Sequence, residues 1–369
     1  MTSIKTNPYK AVDYVESSVK AALERCGYLI ADVKYDGVRG NICVDNTANG
    51  QFLSRVSKTI PALEYLNGYN VRWKMLLADD RCNWPDGFML DGELMVKGVD
   101  FNTGSGLLRT KWLKKDNFKF DTRGKVEWTK GKKELFMLDM EQLKVILYAV
   151  VPLDVIESGE DHKVMNLLMP EHVKSILPLL NEYFPEIEWC LSESHDVYDM
   201  TELNALYELK REEGHEGLVI KDPMDHYKRG KKPGWWKMKP ECEADGIVTG
   251  LVWGTNGKAN EGKVIGFEVL LESGRVVNAT NISRALMDEF TANVKSHNTC
   301  SDGCQMAKDT GMDNHSCANK CAYDAHPMNN PYDGWACQIS YMEETPDGSL
   351  RHPSWTKWRG TEENPQEKI

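Results

Sequence analysis

The chain has 369 residues, 27% charged and 41% hydrophobic, which allows two domains with a core in each. The opening MTSIKTNPYK has no apolar signal-peptide run, and the longest apolar run, near 145–151, is too short to span a bilayer; the expectation is a soluble, cytoplasmic protein with no membrane partner. A net charge of −11 taken alone argues against a nucleic-acid binder.

The charge is unevenly spread. Residues 109–133 hold ten Lys/Arg against three acids, and 228–239 hold six bases and no acid. Trp112, Trp128, Trp235 and Trp236 are interleaved with these cations. Cations mixed with flat rings suit a surface that tracks a nucleic-acid backbone, although two solvated loops have the same composition.

In chain order, residues 11–26 predict an amphipathic helix with Val12, Val15, Val19, Ala22, Leu23 and Cys26 on one face. Strand patterns follow in YLIADVKY, GNICVDN and GQFLSRV, joined by glycines and an Asn-Thr-Ala-Asn-Gly turn. GFMLDGELMV at 87–96 predicts a strand pair or one long bent strand, and 144–156 a buried strand. Helices are expected at about 170–184 and 200–213, then strands at EGLVIKD and GWWKMKP. This mixture predicts an α+β domain up to Pro240. Beyond it, ADGIVTGLVWG, GKVIGFEVLLESG and RVVNATNIS predict three strands, Ser283 an N-cap for a helix over 283–294, and 335–343 and 350–358 two more strands. Five strands around one helix suit an OB-type barrel over 241–369.

ADVKYDGVRGN (31–41) places Lys34 between apolar neighbours, with Asp36, Gly37 and Arg39 close behind. An amine attacks only when neutral, and desolvation and nearby cations favour the neutral form. Such a lysine could attack phosphorus and become a phosphoramidate, with Gly37 leaving room for the phosphate. Lys-x-Asp-Gly alone also fits a lysine snorkelling from a strand. LDGELMV adds Glu93, HEGLVIKD adds Glu216 and Lys221, and WWKMKP adds Lys237 and Lys239 on one strand face. Two carboxylates could hold Mg²⁺ (or Mn²⁺), and three lysines could hold phosphate oxygens.

The series KYDG, DGEL, LYAV, EGLVIK and WWKMK, in this order, resembles the nucleotidyltransferase motifs of ATP-dependent DNA ligases. GYLIADVKYDGVRGNICVDNTAN, SRVSKTIPALE, DGELMVKGVDFNTGSGLLRTKW and NPYDGWACQISYMEETPDGSLRHPS extend the likeness to the compact ligases of short-tailed coliphages, over 4–110, 144–295 and 330–369. The resemblance implies an N-terminal nucleotidyltransferase domain of ATP-grasp-like antiparallel sheets with helices (1–240), followed by the OB-fold barrel. It implies ATP as cofactor, nicked double-stranded DNA as partner and Lys34 as the adenylated nucleophile. Asp32 and Val33 would lie beside adenine through backbone groups, and Tyr35 would join the nucleotide site. Arg39 and Arg55 would contact the nucleotide or the 5′-phosphate of the nick. Glu93 would reach ribose or metal, Tyr148 would stack on adenine, and Glu216 would assist the metal. Lys221, Lys237 and Lys239 would neutralise the α-phosphate. Many relatives carry a C-terminal Arg-x-Asp-Lys motif that orients pyrophosphate. Here Arg351 and Arg359 stand in LRHPSWTKWRGTEEN, which departs from that pattern and leaves the role unassigned.

The implied reaction is three in-line substitutions at phosphorus. Lys34 attacks the α-phosphorus of ATP and pyrophosphate leaves; AMP passes to the 5′-phosphate; the 3′-hydroxyl attacks and AMP leaves. The enzyme would serve phage DNA replication, repair and recombination as a monomer beside phage replication proteins in the infected host cell. The 109–133 stretch would track the duplex, so that its deletion raises KM for nicked DNA and spares self-adenylation. Rival readings are a GTP-using capping guanylyltransferase, an RNA ligase, and a catalytically dead nucleic-acid binder.

Cys300, Cys304, Cys317 and Cys321 depart from the phage likeness. Their Cys-x3-Cys-x12-Cys-x3-Cys spacing, in an insertion at about 297–330 with His297, His315 and His326, suits a structural Zn²⁺ site. Two disulfides, or thiols that do nothing, fit the same spacing. The six other cysteines are expected to be small core residues.

Overall fold

The computed structural model describes residues 4–114, 119–120, 126–127, 133–297, 330–344, 348–361 and 363–366. The chain divides into two compact units, Met1–Lys239 and Pro240–Ile369. The first begins with β1 (Tyr9–Asp13), α1 (Glu16–Cys26), β2 (Leu29–Lys34), β3 (Val38–Asp45), β4 (Asn49–Ser54), β5 (Gly68–Tyr69), α2 (Val71–Leu77), β6 (Gly87–Val96) and α3 (Phe101–Leu108). Short strands β7 (Trp112–Lys114), β8 (Lys119–Phe120), β9 (Val126–Glu127) and β10 (Lys133–Leu135) precede β11 (Leu143–Pro152), α4 (Leu153–Ser158) and β12 (His162–Met165). The unit closes with α5 (Met169–Tyr183), β13 (Glu188–Leu191), β14 (Ser194–Val197), α6 (Met200–Glu212), β15 (Gly217–Lys221), β16 (His226–Tyr227) and β17 (Gly230–Met238).

The first helix starts later than its apolar spacing predicts. Val12 belongs to β1, where it lies opposite Trp236 of β17. A β-branched residue gains packing on a strand that it would not have in an unpartnered helical turn. α1 begins at Glu16, an acid at the positive end of the helix dipole. It ends at Gly27, whose left-handed backbone lets its N–H reach Leu23 O at 2.8 Å. Residues 87–96 form one ten-residue strand rather than a pair.

Two large sheets build this unit, in the strand orders β1-β17-β15-β2-β14 and β13-β11-β6-β3-β4-β5, beside the two-stranded pairs β7-β10, β8-β9 and β12-β16. Alternation assigns their faces. In the first sheet, Ala31, Leu218, Ile220 and Trp236 pack with Val19 and Ala22 of α1 and Leu203 of α6. Asp32, Lys34, Val219, Lys221, Trp235 and Lys237 therefore fall on its other face. In the second sheet, Ile42, Leu90, Val145 and Leu147 pack with Trp73 of α2 and Val173 of α5. Its opposite face sends Cys43, Met89, Ala149 and Val151 against Tyr9, Tyr227 and Trp235. The sheets thus meet across one apolar layer, and charged residues occupy the same two faces beside it.

The second unit contains β18 (Cys242–Trp253), β19 (Val264–Leu271), β20 (Val276–Ala279), α7 (Arg284–His297), β21 (Ala336–Tyr341) and β22 (Ser354–Trp358). Its sheet runs β20-β19-β18-β21-β22. A bridge between Thr280 and Ser354 joins the two edges, with Thr280 N–H donating to Pro353 O at 3.0 Å, and closes the barrel. Ser283 caps α7, its Oγ accepting from Leu286 N–H at 3.2 Å. Phe267 and Phe290 meet edge-to-face at 5.0 Å inside, with Tyr332, Trp355 and Trp358 around them.

Of the six scattered cysteines, only Cys43 and Cys337 are buried; Cys26, Cys82, Cys190 and Cys242 are half-buried, and all six are free. Cys300, Cys304, Cys317, Cys321 and most of 115–132 lie outside the described residues. Among the described residues no helix is long and apolar enough to cross a membrane.

Candidate active site

Lys34 ends β2 directly opposite Gly217 of β15. One residue beyond that pairing, Glu216 N–H donates to Lys34 O at 3.1 Å. The same step brings the two side chains together, and Lys34 Nζ donates to Glu216 Oε2 in a largely shielded ion pair. Gly217 is required for this approach: its φ is 144°, and a Cβ there would stand 2.1 Å from Met238 O. Arg39, the cation nearest in sequence, is drawn instead to the second sheet. There its Nε and Nη2 donate to the two oxygens of Asp91 at 2.7 and 2.6 Å. The charge bonded to Lys34 is therefore a carboxylate, not the guanidinium that adjacency suggested, because the chain crosses between sheets after Gly37.

Arg39 lies opposite Glu93 in the β3–β6 ladder. On the far side of β6, the register with β11 shifts between Leu147 and Ala149. Tyr148 is the extra residue of this bulge, so both it and Ala149 reach the inter-sheet side. Tyr148 OH donates to Glu93 Oε2 at 3.1 Å, and the Arg39 guanidinium lies 5.0 Å from the Tyr148 ring centroid. Glu93 is only 8% exposed. Burial pushes its carboxyl up to about 7, against the opposing pull of Arg39, Lys34 and the Tyr148 hydroxyl. Gly37 makes room for it: a Cβ at that position would stand 2.7 Å from Glu93 Cγ and 2.8 Å from Leu94 O.

On the first sheet, buried Lys221 pairs with buried Asp32, and its ammonium lies 4.3 Å from the centroid of the Trp235 ring. Lys237 pairs with Asp13 at 2.9 Å, and Lys239 follows one residue after β17. Val33 alternates to the helix-covered face, with its N–H donating to Glu193 O at 2.9 Å. Tyr35 OH accepts from Glu193 N–H at 3.3 Å, and its ring meets His215 edge-on at 5.4 Å. Arg55 is exposed just past β4, whose Ser54 lies opposite Gly40.

The structure thus brings together Lys34, Glu216, Asp32 and Lys221 on one sheet and Arg39, Glu93 and Tyr148 on the other. Sequence reasoning passes over Asp91, although it stands two residues before Glu93 and so shares its strand face. Among the described residues no cluster of three or more His, Cys, Asp or Glu is arranged to hold a metal ion. Arg351 and Arg359 belong to the second unit, where they pair with Glu343 at 2.5 Å and Asp245 at 2.8 Å. A cleft of about 630 Å³ there is lined by Glu243, Asp245, Glu272, Arg275 and Arg359, among others. Its acidic wall does not favour phosphate.

Residues 8–239 match the family described as the ATP dependent DNA ligase domain, and residues 240–359 match the DNA ligase C-terminal domain. The chain is 67% identical to the DNA ligase of Escherichia phage T7 and 62% identical to that of Enterobacteria phage T3, in each case over the full length of both proteins. The solved structure of the bacteriophage T7 ATP-dependent DNA ligase in complex with ATP aligns at 65% identity and a TM-score of 0.61, covering 96% of this chain and 99% of that one. A Lig E DNA ligase at 13% identity shares the fold, with a TM-score of 0.52 and 96% and 99% coverage. The matched domains and the full-length phage relatives place this chain in the ATP-dependent DNA ligase family, with an adenylation domain followed by an OB-type domain.

Proposed function

We propose that Lys34 takes AMP from ATP, that the AMP passes to the 5′-phosphate at a nick in duplex DNA, and that the adjoining 3′-hydroxyl displaces it to complete the phosphodiester. The observation that carries this reading is the meeting of Lys34, Glu216 and Lys221 with Arg39, Glu93 and Tyr148 across two facing sheets. Glu216 is hydrogen-bonded to Nζ and is the group placed to accept the ammonium proton as the N–P bond forms. Lys221, Lys237 and Lys239 offset the charge of the α-phosphate; Lys221 exchanges Asp32 for phosphate as it does so. Tyr148 offers adenine a ring face. Asp32, Val33 and Tyr35 frame the nucleotide, Glu93 reaches the ribose or the metal, and Arg39 and Arg55 reach the nucleotide or the 5′-phosphate of the nick.

Glu93 and Glu216 fit a divalent cation by donor type. Both are hard oxygen ligands, and the buried Glu93 carboxyl, pushed up to about 7, is a group whose ionisation a cation would favour. Two carboxylates plus substrate phosphates are the usual setting for Mg²⁺. Such an ion, Mg²⁺ or Mn²⁺, supplies positive charge to the phosphate oxygens when bound. Structural zinc at Cys300, Cys304, Cys317 and Cys321 is supported by their spacing. The enzyme is read as a monomer acting on nicked duplex DNA in the infected host cell, in phage replication, repair and recombination.

A side-by-side sealing assay tests the reading. Nicked DNA with ATP is expected to be joined, while nicked RNA, or GTP in place of ATP, is expected to give little product. Preferential sealing of RNA, or efficient use of GTP, would overturn it.

A further inference from the structure

Asp91 is fully buried at the middle of β6. Four hydrogen bonds saturate its carboxylate. Oδ1 accepts from Arg39 Nε at 2.7 Å and Asn41 Nδ2 at 2.8 Å; Oδ2 accepts from Arg39 Nη2 at 2.6 Å and from the Tyr227 hydroxyl. Tyr227 is the one donor among these that comes from outside the second sheet. It lies on β16, is itself fully buried, and its oxygen also accepts from Tyr9 N–H at 3.2 Å. Its ring is held edge-on by Tyr9 at 5.9 Å and by Trp235 at 5.8 Å. Tyr9 in turn stacks on Trp235 at 4.3 Å, and the indole N–H of Trp235 donates to Asn166 Oδ1 at 3.0 Å. Arg39 is fixed by the same residues, since its Nη2 also donates to Tyr9 O at 3.0 Å.

We infer that Tyr227 is a positioning residue for the adenylation step: through Asp91 it fixes the plane of the Arg39 guanidinium over Tyr148 and Glu93, and through the Tyr9 N–H it accepts it links β1 of the first sheet to the nucleotide-facing side of the second. The chemistry favours this role over simple filling. A carboxylate holding a bidentate arginine with both oxygens needs a further donor on each to be satisfied when buried. Asn41 serves one oxygen and Tyr227 the other. Replacing that hydroxyl leaves Oδ2 with one donor, so the aspartate and its arginine can rotate together. Nη1 of Arg39 has no hydrogen-bond partner among the described residues. Tyr227 is fully buried, so its effect must pass through Asp91 and Arg39.

The inference rests on the reading of Arg39 as a nucleotide or nick contact, and the test separates the two. Self-adenylation is measured on the full chain, with KM for ATP and the limiting rate resolved, for the parent, Tyr227→Phe, Arg39→Ala and the double variant, alongside thermal melts. Tyr227→Phe is expected to slow adenylation about tenfold in the parent and to have little effect in Arg39→Ala, because residues acting through one another are not additive. An equal loss in both backgrounds would make Tyr227 merely structural and overturn the inference, as would full activity of Tyr227→Phe beside an impaired Arg39→Ala. An Arg39→Ala enzyme with unimpaired adenylation and sealing would instead remove the reading of Arg39 beneath it. Should Tyr227→Phe fail to fold, Asn41→Ala removes the donor to the other oxygen and is expected to show the same dependence on Arg39; independence from Arg39 would count against the inference.

Discussion

Glu93 is a carboxyl whose environment opposes its own charge. Burial raises it from about 4.5 to about 7 even with Arg39 and Lys34 nearby. In the unfolded chain the group ionises near 4.5, so between 4.5 and 7 the folded state retains a proton that the unfolded state has lost. Its contribution to stability is therefore complete below 4.5, declines as pH rises, and is gone above about 7. The shift corresponds to about 3 kcal/mol at most. Glu93→Gln mimics the protonated form. In nucleotide-free, metal-free protein it is expected to match the parent's melting temperature at pH 4.5 and to exceed it at pH 8; a difference that stays flat with pH would contradict this. The sequence marked Glu93 of LDGELMV as a ligand, but neither its burial nor Asp91 behind it could be read there. Both depend on which strands flank β6. Lys221 shows the same limit: its place among the phosphate-holding lysines came from a motif, whereas its ion pair with Asp32 follows from the β2–β15 register.

Single positions in the strands decide whether the two sheets can present their charges to each other. Gly37 lies in the connection from β2 to β3, with Glu93 Cγ where a side chain would go. Gly37→Ala is expected to destabilise the fold by about 1–3 kcal/mol through overpacking, and to slow self-adenylation by displacing Glu93. Denaturant melts and adenylation rates measure the two effects separately, and unchanged values of both would refute the steric argument. Most strands and helices were legible from period and punctuation: 87–96, 169–183, 200–212 and the five strands of the barrel all appear within a few residues of expectation. The start of α1 was not. Its apolar period continues through Val12, and only the long-range pairing of β1 with β17 converts that segment to a strand. The Tyr148 bulge was equally hidden, since a run of ten strand-forming residues carries no local sign of where its register slips.

At the scale of the whole chain, each unit has its own apolar core: among the described residues, the clusters of the first unit extend to Met238 and that of the second begins at Ala244. A fragment ending at Lys239 is expected to melt in one cooperative transition, and a broad, non-cooperative melt would show that it needs the barrel to fold. The insertion at 297–330 is poor in large apolar residues, so metal binding is the means by which it would gain folding free energy. About one zinc per chain is expected in chelator-free protein, and a ratio near zero would exclude the site. The proposed mechanism turns on one covalent event, and that event can be located directly. After incubation with ATP and a divalent cation, the protein is digested under conditions that preserve phosphoramidates and its peptides are mapped by mass spectrometry. One AMP is expected on the peptide carrying Lys34 and none in Lys34→Arg; an adenylate on another residue, or none on the folded parent, would contradict the mechanism.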